Sequence, residues 1–345
     1  MTQPMHCKSL DAFRRLLSAA PQASFEAREA AERRQAQLIK PAGALGRLEW
    51  LAAWVASWQG ADRPRAERVR VVVFAGSHGI AARGVSLYPA SVTRQMVACF
   101  HQGHAAINQL CRTIGADLEI VPLDVDKPTA DILDAPAMTE EEFLTALNAG
   151  LAAVGAEDVD LLCLGEMGIG NTTAAAALSH ALFGGTAGAW TGAGTGIDST
   201  RREAKVGIVA EAAARHRAEA SDGLDLLRRL GGRELAAIAG AVVGARHRRV
   251  PVVLDGYTTT AAAASLAFLR SDALAHCLVG HLSVEPGHRL LVEMLDLVPL
   301  LDLGMRLGEA SGAAVAAGIV RAAVACHTGM ATFAEVGVDG AEGNG

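Results

Sequence analysis

Aromatic residues are scarce: Phe, Trp and Tyr together make up 4% of the 345 residues. So few flat side chains leave little on which successive bases could stack, which disfavours a single-stranded nucleic-acid platform. Excess positive charge is lacking too. The net charge is −6 at pH 7 and the pI about 6.0, so no general attraction to nucleic acid or anionic lipid is expected. The six cysteines (Cys7, Cys99, Cys111, Cys163, Cys277 and Cys326) are scattered and form no CxxC pair. That pattern argues against a disulfide framework and a zinc ribbon. No run of about 18 consistently apolar residues occurs, the stretch 312–320 being ended by Arg321. The opening MTQPMHCKSLDAFRRLL has no apolar centre of a secretory signal. A reduced, soluble, cytoplasmic protein is the expectation.

Hydrophobic residues reach 51% and charged ones 20%, which suits a globular chain with a sizeable core. The length corresponds to about two domains, or one large α/β domain with an appendage. Glycines number 37 against 11 prolines, more than ordinary turns need. Backbone in special conformations, or close to a ligand, is the expected use.

Residues 9–60 read as helical and amphipathic, with the break KPAG (40–43) separating two helices. From Arg68 the pattern changes to short β-branched runs ending in glycine or acid. RVRVVVFAG (68–76), DLEIVPLDV (117–125), VDLLCLG (159–165), VPVVLDG (250–256) and HCLVGHLS (276–283) read as strands. Helical stretches alternate with them at 91–110, 172–182, 199–219, 233–245 and 258–269. Strand, crossover helix and strand in repetition predict an α/β fold with a parallel sheet covered on both faces. Ligands in such sheets sit beyond the carboxyl ends of the strands. Those ends carry Ser77-His78-Gly79, the stretch 166–171, and Asp255-Gly256. The expected organisation is a helical part at 1–66, an α/β nucleotide-binding domain at 67–304, and a helical return at 305–345. The two helical ends would form a smaller domain, and the last residues, 339–345, a frayed tail.

Four segments carry chemistry. LCLGEMGIGNTTAAAAL (162–178) has a strand, a loop with Gly165, Gly168 and Gly170, then a helix opening at Asn171 and Thr172. Backbone N–H groups at such a helix start, backed by the dipole, form an anion site. The spacing approaches a P-loop, but Asn171 replaces the lysine, which favours a monophosphate over a nucleoside triphosphate. The plainer alternative is a tight turn with Asn171 as N-cap. WTGAGTGID (190–198), with Gly192, Gly194 and Gly196, precedes a helix capped by Asp198 or Ser199. Lys205 on that helix offers a point charge to a phosphate, although a lone helix lysine is normally solvated.

VVLDGYTTTAAA (252–263) is similar to the ribose-phosphate loop of ordinary phosphoribosyltransferases, but only Asp255 is present and Gly256 stands where a second acid would be. Without the pair there is little to hold a magnesium pyrophosphate. A plain helix start with Thr258 as cap competes with any ligand role. MRLGEASGAA (305–314) places Glu309 between Gly308 and Gly312 before an Ala-rich helix. Among apolar neighbours its carboxyl would be raised in pKa, as a general base requires. On composition alone, an acid stabilised by a helix N-terminus is the competing reading. His276 and His281 lack HExxH-like spacing, so no metal is expected.

Taken together, KPAGALGRLE (40–49), FAGSHGI (74–80), GVSLYPASVTRQMV (84–97), GEMGIGNTT (165–173), TGAGTGID (191–198), VPVVLDGYTTTAA (250–262), GHLSVEPGH (280–288) and LDLGMRLGEASGAA (301–314) resemble the nicotinate-nucleotide–dimethylbenzimidazole phosphoribosyltransferase family. The likeness implies transfer of ribose 5-phosphate from nicotinate mononucleotide to 5,6-dimethylbenzimidazole, with inversion at the sugar carbon. The products are α-ribazole 5′-phosphate and nicotinate, in cobalamin lower-ligand synthesis. It also implies a homodimer with a Rossmann-like large domain and a small helical one, and no cofactor. Glu309 matches the family's general base and Glu166 a second acid near the ribose. Gly168, Ile169, Gly170, Asn171 and Thr172, together with Gly192, Gly194, Gly196 and Lys205, match the nucleotide-phosphate site. Ser86, Tyr88, Gln95 and Leu307 match the lining of the base pocket.

Three positions depart from the family pattern: Ser77 where Asp is usual, Ala310 where Gly is common, and Ala44 where Ser is common. An NAD-dependent oxidoreductase is the rival enzyme reading, but neither glycine segment has G-x-G-x-x-G with an acid about 20 residues on. A non-catalytic nucleotide-binding protein is the other alternative.

Overall fold

A computed structural model describes residues 5–155 and 158–339. Five strands form one sheet: β1 (Val69–Ala75), β2 (Asp117–Pro122), β3 (Leu161–Met167), β4 (Val252–Leu254) and β5 (Cys277–Val279). All pairings are parallel and the order is β2-β1-β3-β4-β5. Between the central strands the chain reverses its direction of travel across the sheet. After β2 it returns to the other side of β1, so a crevice opens beyond the carboxyl ends of β1 and β3.

The strands are apolar on both faces because both are covered. Val71, Cys163, Val253 and Leu278 align across neighbouring strands and pack with one hydrophobic cluster. Val72, Leu164 and Leu254, one residue on, pack with the other. Only the edge strand β2 shows alternation, with Asp117 and Glu119 exposed.

Helix Ser311–Gly329 lies on the first face with helix Arg47–Gln59. Its length and hydropathy would suffice to cross a membrane, yet Ala313, Ala314, Ala317, Val320 and Val324 are buried in this core. The two chain ends are tied together directly. Arg34 donates to the carbonyls of His327 and Met330, each at 3.0 Å, and Leu38 bridges to Thr332. Helix Leu10–Ser18 goes to the opposite face, where Leu10, Phe13 and Leu17 join Leu147 and Leu151. Cys7 and Asn148 exchange two hydrogen bonds there, at 2.7 and 2.9 Å.

Several expected boundaries move. The N-terminal stretch holds three helices, Leu10–Ser18, Phe25–Gln37 and Arg47–Gln59, because residues 19–24 break it before KPAG does. The helix expected over 91–110 is two, Val92–His101 and Ala106–Ile114, parted where Gly103 takes φ +78°. Of the tail expected at 339–345, all but Asp339 lies outside the described residues.

Candidate active site

The crevice holds a cavity of about 540 Å³, lined from the carboxyl ends of β3, β4 and β5 and from the segment that precedes helix Ser311–Gly329. Glu309 owes its position to that segment's backbone. Gly308, Glu309 and Ala310 take φ values of +80°, +61° and +61°, three left-handed residues in succession. For the two with a Cβ this costs roughly 1–2 kcal/mol each. The turn is held by several contacts. The Glu309 N–H donates to the Glu166 carbonyl at 3.1 Å, and the Ser311 N–H and hydroxyl donate to the Gly308 carbonyl at 3.0 and 2.7 Å. Asp255, from the end of β4, accepts from the Ala313 N–H at 2.9 Å and so caps a helix that has no side-chain cap of its own. Gly165 explains a glycine inside a buried strand: a Cβ there would stand 2.0 Å from the Ala310 nitrogen.

Glu309 therefore sits two residues ahead of the helix rather than in its first turn. Burial raises its carboxyl to about 7, against 4.5 ordinarily. That direction is the one a general base requires, and opposite to the one a helix N-terminus alone would give. Glu166, near the end of β3, accepts from the Asn171 side chain. Burial first, then the charges of Asp255 and Glu234, push it up to about 8. Asp255 is raised to about 7 by burial despite its N–H donors. His281 Nε2 lies 3.8 Å from Asp255. Beneath the glycine loop, His78 and Glu234 form a wholly buried pair.

The loop Gly168 to Thr172 lines the cavity as expected. Asn171 is not the N-cap, however. Gly170 takes that place at φ +98°, and Asn171, the first helical residue, spends its side chain on Glu166. Similarly, Gly256 rather than Thr258 caps helix Tyr257–Ala267. Lys205 is not solvated: it is 1% exposed, and its Nζ donates to Thr172 Oγ1 at 2.9 Å. Burial lowers its pKa to about 8. Asp198, not Ser199, caps helix Ser199–Glu219. Gly194 lines the cavity, its N–H donating to Glu285 Oε1 at 2.8 Å. Gly192 and Gly196 are not among its lining residues: Gly196 is exposed, and a Cβ on the buried Gly192 would meet Glu285 at 2.0 Å.

Ser86, Tyr88 and Leu307 also line the cavity, while Gln95 is exposed on helix Val92–His101 and Val92 and Met96 take the lining. Ser86 Oγ meets Thr195 Oγ1 at 3.1 Å and accepts from the Tyr88 N–H at 3.1 Å. Ser77 is turned away from the cavity, its hydroxyl donating to the Val125 carbonyl at 2.6 Å. Sequence reasoning assigned no role to His281, Ser283, Glu285, Thr195 or Arg306, and left Asp255 undecided, yet all line the cavity. Proline after Glu285, at the first turn of helix Pro286–Met294, was the signal that Glu285 ends a loop at a helix start. Among the described residues no group of His, Cys, Asp and Glu is placed to hold a metal ion.

The arrangement offers a carboxyl poised near neutrality, a buried ammonium beside a glycine-rich helix start, and apolar lining from Val85, Val92, Met96 and Leu307. A family model described as phosphoribosyltransferase matches residues 20–338. The nicotinate-nucleotide–dimethylbenzimidazole phosphoribosyltransferase of Mesorhizobium japonicum is 55% identical over 334 residues, covering 97% of this chain and 99% of that protein. The enzyme of the same name from Ruegeria pomeroyi is 56% identical over 326 residues, covering 94% and 96%. The crystal structure of CobT from Thermus thermophilus superposes with a TM-score of 0.85 at 41% identity, covering 91% of this chain and 99% of that one.

Proposed function

This chain belongs to the nicotinate-nucleotide–dimethylbenzimidazole phosphoribosyltransferase family, and from that premise we propose how its residues carry the reaction. It is a glycosyltransferase that moves the ribose 5-phosphate of nicotinate mononucleotide onto 5,6-dimethylbenzimidazole, releasing nicotinate and α-ribazole 5′-phosphate in cobalamin lower-ligand synthesis. The 5′-phosphate lies against the Gly168–Thr172 helix start and the Gly194 loop, with the Lys205 ammonium behind. The benzimidazole lies against the lining residues Ser86, Tyr88 and Leu307.

Glu309 takes the benzimidazole N–H proton while the other ring nitrogen attacks the sugar carbon and the pyridinium departs as neutral-ringed nicotinate. The observation that carries this is the Glu309 carboxyl, held in the cavity by a left-handed turn and raised to about 7, where a base works at physiological pH. Glu166, hydrogen-bonded to Asn171, faces the sugar. Nicotinate is a good enough leaving group that positioning does most of the work; alignment supplies up to ~7–11 kcal/mol.

A homodimer is supported by the exposed apolar side chains Leu87, Tyr88, Leu303 and Leu307, two of which line the cavity, as apolar surface that a second copy would cover. A cytoplasmic location is supported by six cysteines that are all free thiols. Incubation with nicotinate mononucleotide and dimethylbenzimidazole, followed by chromatography, tests the reaction: absence of nicotinate release overturns it. Light scattering that returns a monomer mass overturns the dimer.

A further inference from the structure

Four stretches that line the cavity, around Ser86, Thr172, Glu285 and Arg306, meet at one short turn. Residues 193–197 fold back on themselves, the Gly196 and Ile197 N–H groups both donating to the Ala193 carbonyl at 2.9 and 3.1 Å. At Gly194 the turn meets the residues assigned to the phosphate. A Cβ there would stand 2.9 Å from Thr172 Oγ1 and 3.2 Å from Lys205 Nζ. The Gly194 N–H is held by Glu285, and its carbonyl accepts from Arg306 Nη1 at 3.0 Å.

One residue on, Thr195 meets the residues assigned to the base. Its Oγ1 accepts from the Leu87 N–H at 3.0 Å and shares a hydrogen bond with Ser86 Oγ at 3.1 Å. Residues 86–88 belong to neither helix nor strand. The Tyr88 N–H is satisfied within the segment, by Ser86 Oγ. Among the described residues, every hydrogen bond that fastens 86–88 to another part of the chain therefore ends on the Thr195 hydroxyl. The Leu87 contact does not depend on Ser86, so Thr195 rather than Ser86 closes the link.

Resting on the proposed reaction, we propose that Thr195 is a positioning residue that ties the base-lining segment to the phosphate site, so that seating the nucleotide's phosphate orders the residues that receive the base. A phosphate held against the Thr172 helix start and Lys205 immobilises the Gly194 peptide. The neighbouring hydroxyl carries that order to Leu87 and Ser86. The base then enters a pocket that is already ordered and loses less conformational freedom on binding. Linkage makes the effect reciprocal, so the base tightens the phosphate by the same factor. The consequence for the reaction is that the ring is aligned only when the sugar it attacks is present.

The test is calorimetric binding of 5,6-dimethylbenzimidazole to the full-length protein, with and without saturating inorganic phosphate at constant ionic strength. Inorganic phosphate has no sugar or ring to reach the base, so any effect passes through the protein. Phosphate should lower the wild-type Kd about five- to ten-fold, and chloride should not. Thr195→Val keeps the branched Cβ and loses the hydroxyl; the ratio of the two Kd values should fall to about one. Thr195→Ser keeps the hydroxyl and should keep most of the ratio. A Thr195 that only packs would weaken the base equally in both conditions. A ratio that survives Thr195→Val therefore overturns the proposal, as does one lost in Thr195→Ser or a wild-type ratio of one. Turnover is a separate measurement: coupling without nicotinate release would sink the reaction but keep the link, and release without coupling would sink only the link.

Discussion

Replacing Glu309 with Gln separates a working base from a structural one, because the two roles predict opposite changes in stability. The carboxyl ordinarily titrates at 4.5 and is raised by burial to about 7 in the fold. A carboxyl raised in this way costs the fold stability once its unfolded form ionises. The cost starts near pH 4.5, grows until about pH 7 and stays constant above. At about 1.4 kcal/mol per unit it reaches roughly 3 kcal/mol.

Glu309→Gln removes that cost. Its unfolding free energy should match the wild type near pH 4.5 and exceed it at pH 8, by up to ~3 kcal/mol. Catalysis should move the other way, with kcat falling about 10²- to 10⁴-fold at pH 8. Wild-type kcat should also fall ten-fold per unit below about pH 7, and the residual rate of the variant should show no such limb. Nicotinate release from pH 5.5 to 9, with urea unfolding at the two ends, reads both. A variant within a few-fold of wild type, or one that keeps the acid limb, would hand the proton to Asp255 or Glu166. Loss of activity and stability together would make Glu309 structural.

Lys205→Met should raise KM for nicotinate mononucleotide about ten- to hundred-fold with a smaller change in kcat. Because the ammonium titrates near 8, wild-type affinity should decline above that pH, and the variant should lack the decline. Gly165→Ala drives a Cβ to 2.0 Å from the Ala310 nitrogen. It should cost about 1–3 kcal/mol or more in thermal unfolding and abolish turnover, and a normal melting curve would refute the packing argument. Ser86→Ala removes a contact to Thr195 and an acceptor for the Tyr88 N–H. KM for the benzimidazole should rise about two- to ten-fold, with KM for the nucleotide unchanged in the same initial-rate series.

Strands were legible wherever a buried β-branched run ended in glycine, as in RVRVVVFAG, and the crossover helices between them followed. The last two strands shrink to Val252–Leu254 and Cys277–Val279 because the residues after them leave the sheet to line the cavity. Their apolar pattern does not reveal where the sheet stops and the site begins. Lys205 was readable in principle. It stands on one helical stripe with Val209, Ala212, Ala213 and His216, all of them buried, so the spacing marks the inward face even though the residue type suggests solvent. Glu309 was readable as a carboxylate among glycines. Its left-handed turn was not, because Ala310 follows where glycine would have announced the conformation. Arg306 had no periodic signal at all, since its place depends on a loop meeting Gly194 across 112 residues of chain.

The helix that follows the base is fastened to the sheet at three glycines. Gly165 and Gly280 admit the backbone of residues 310 and 313, and Gly312 admits the ring of His281. Chemistry and scaffold are thereby mortised into one joint with no slack between them. Engineering for heat tolerance should therefore begin on the far wall of the sheet, around Phe13 and Leu147, where repacking does not tug on the catalytic turn. On the near wall, even a single added methyl at these three seats should be felt first as lost turnover.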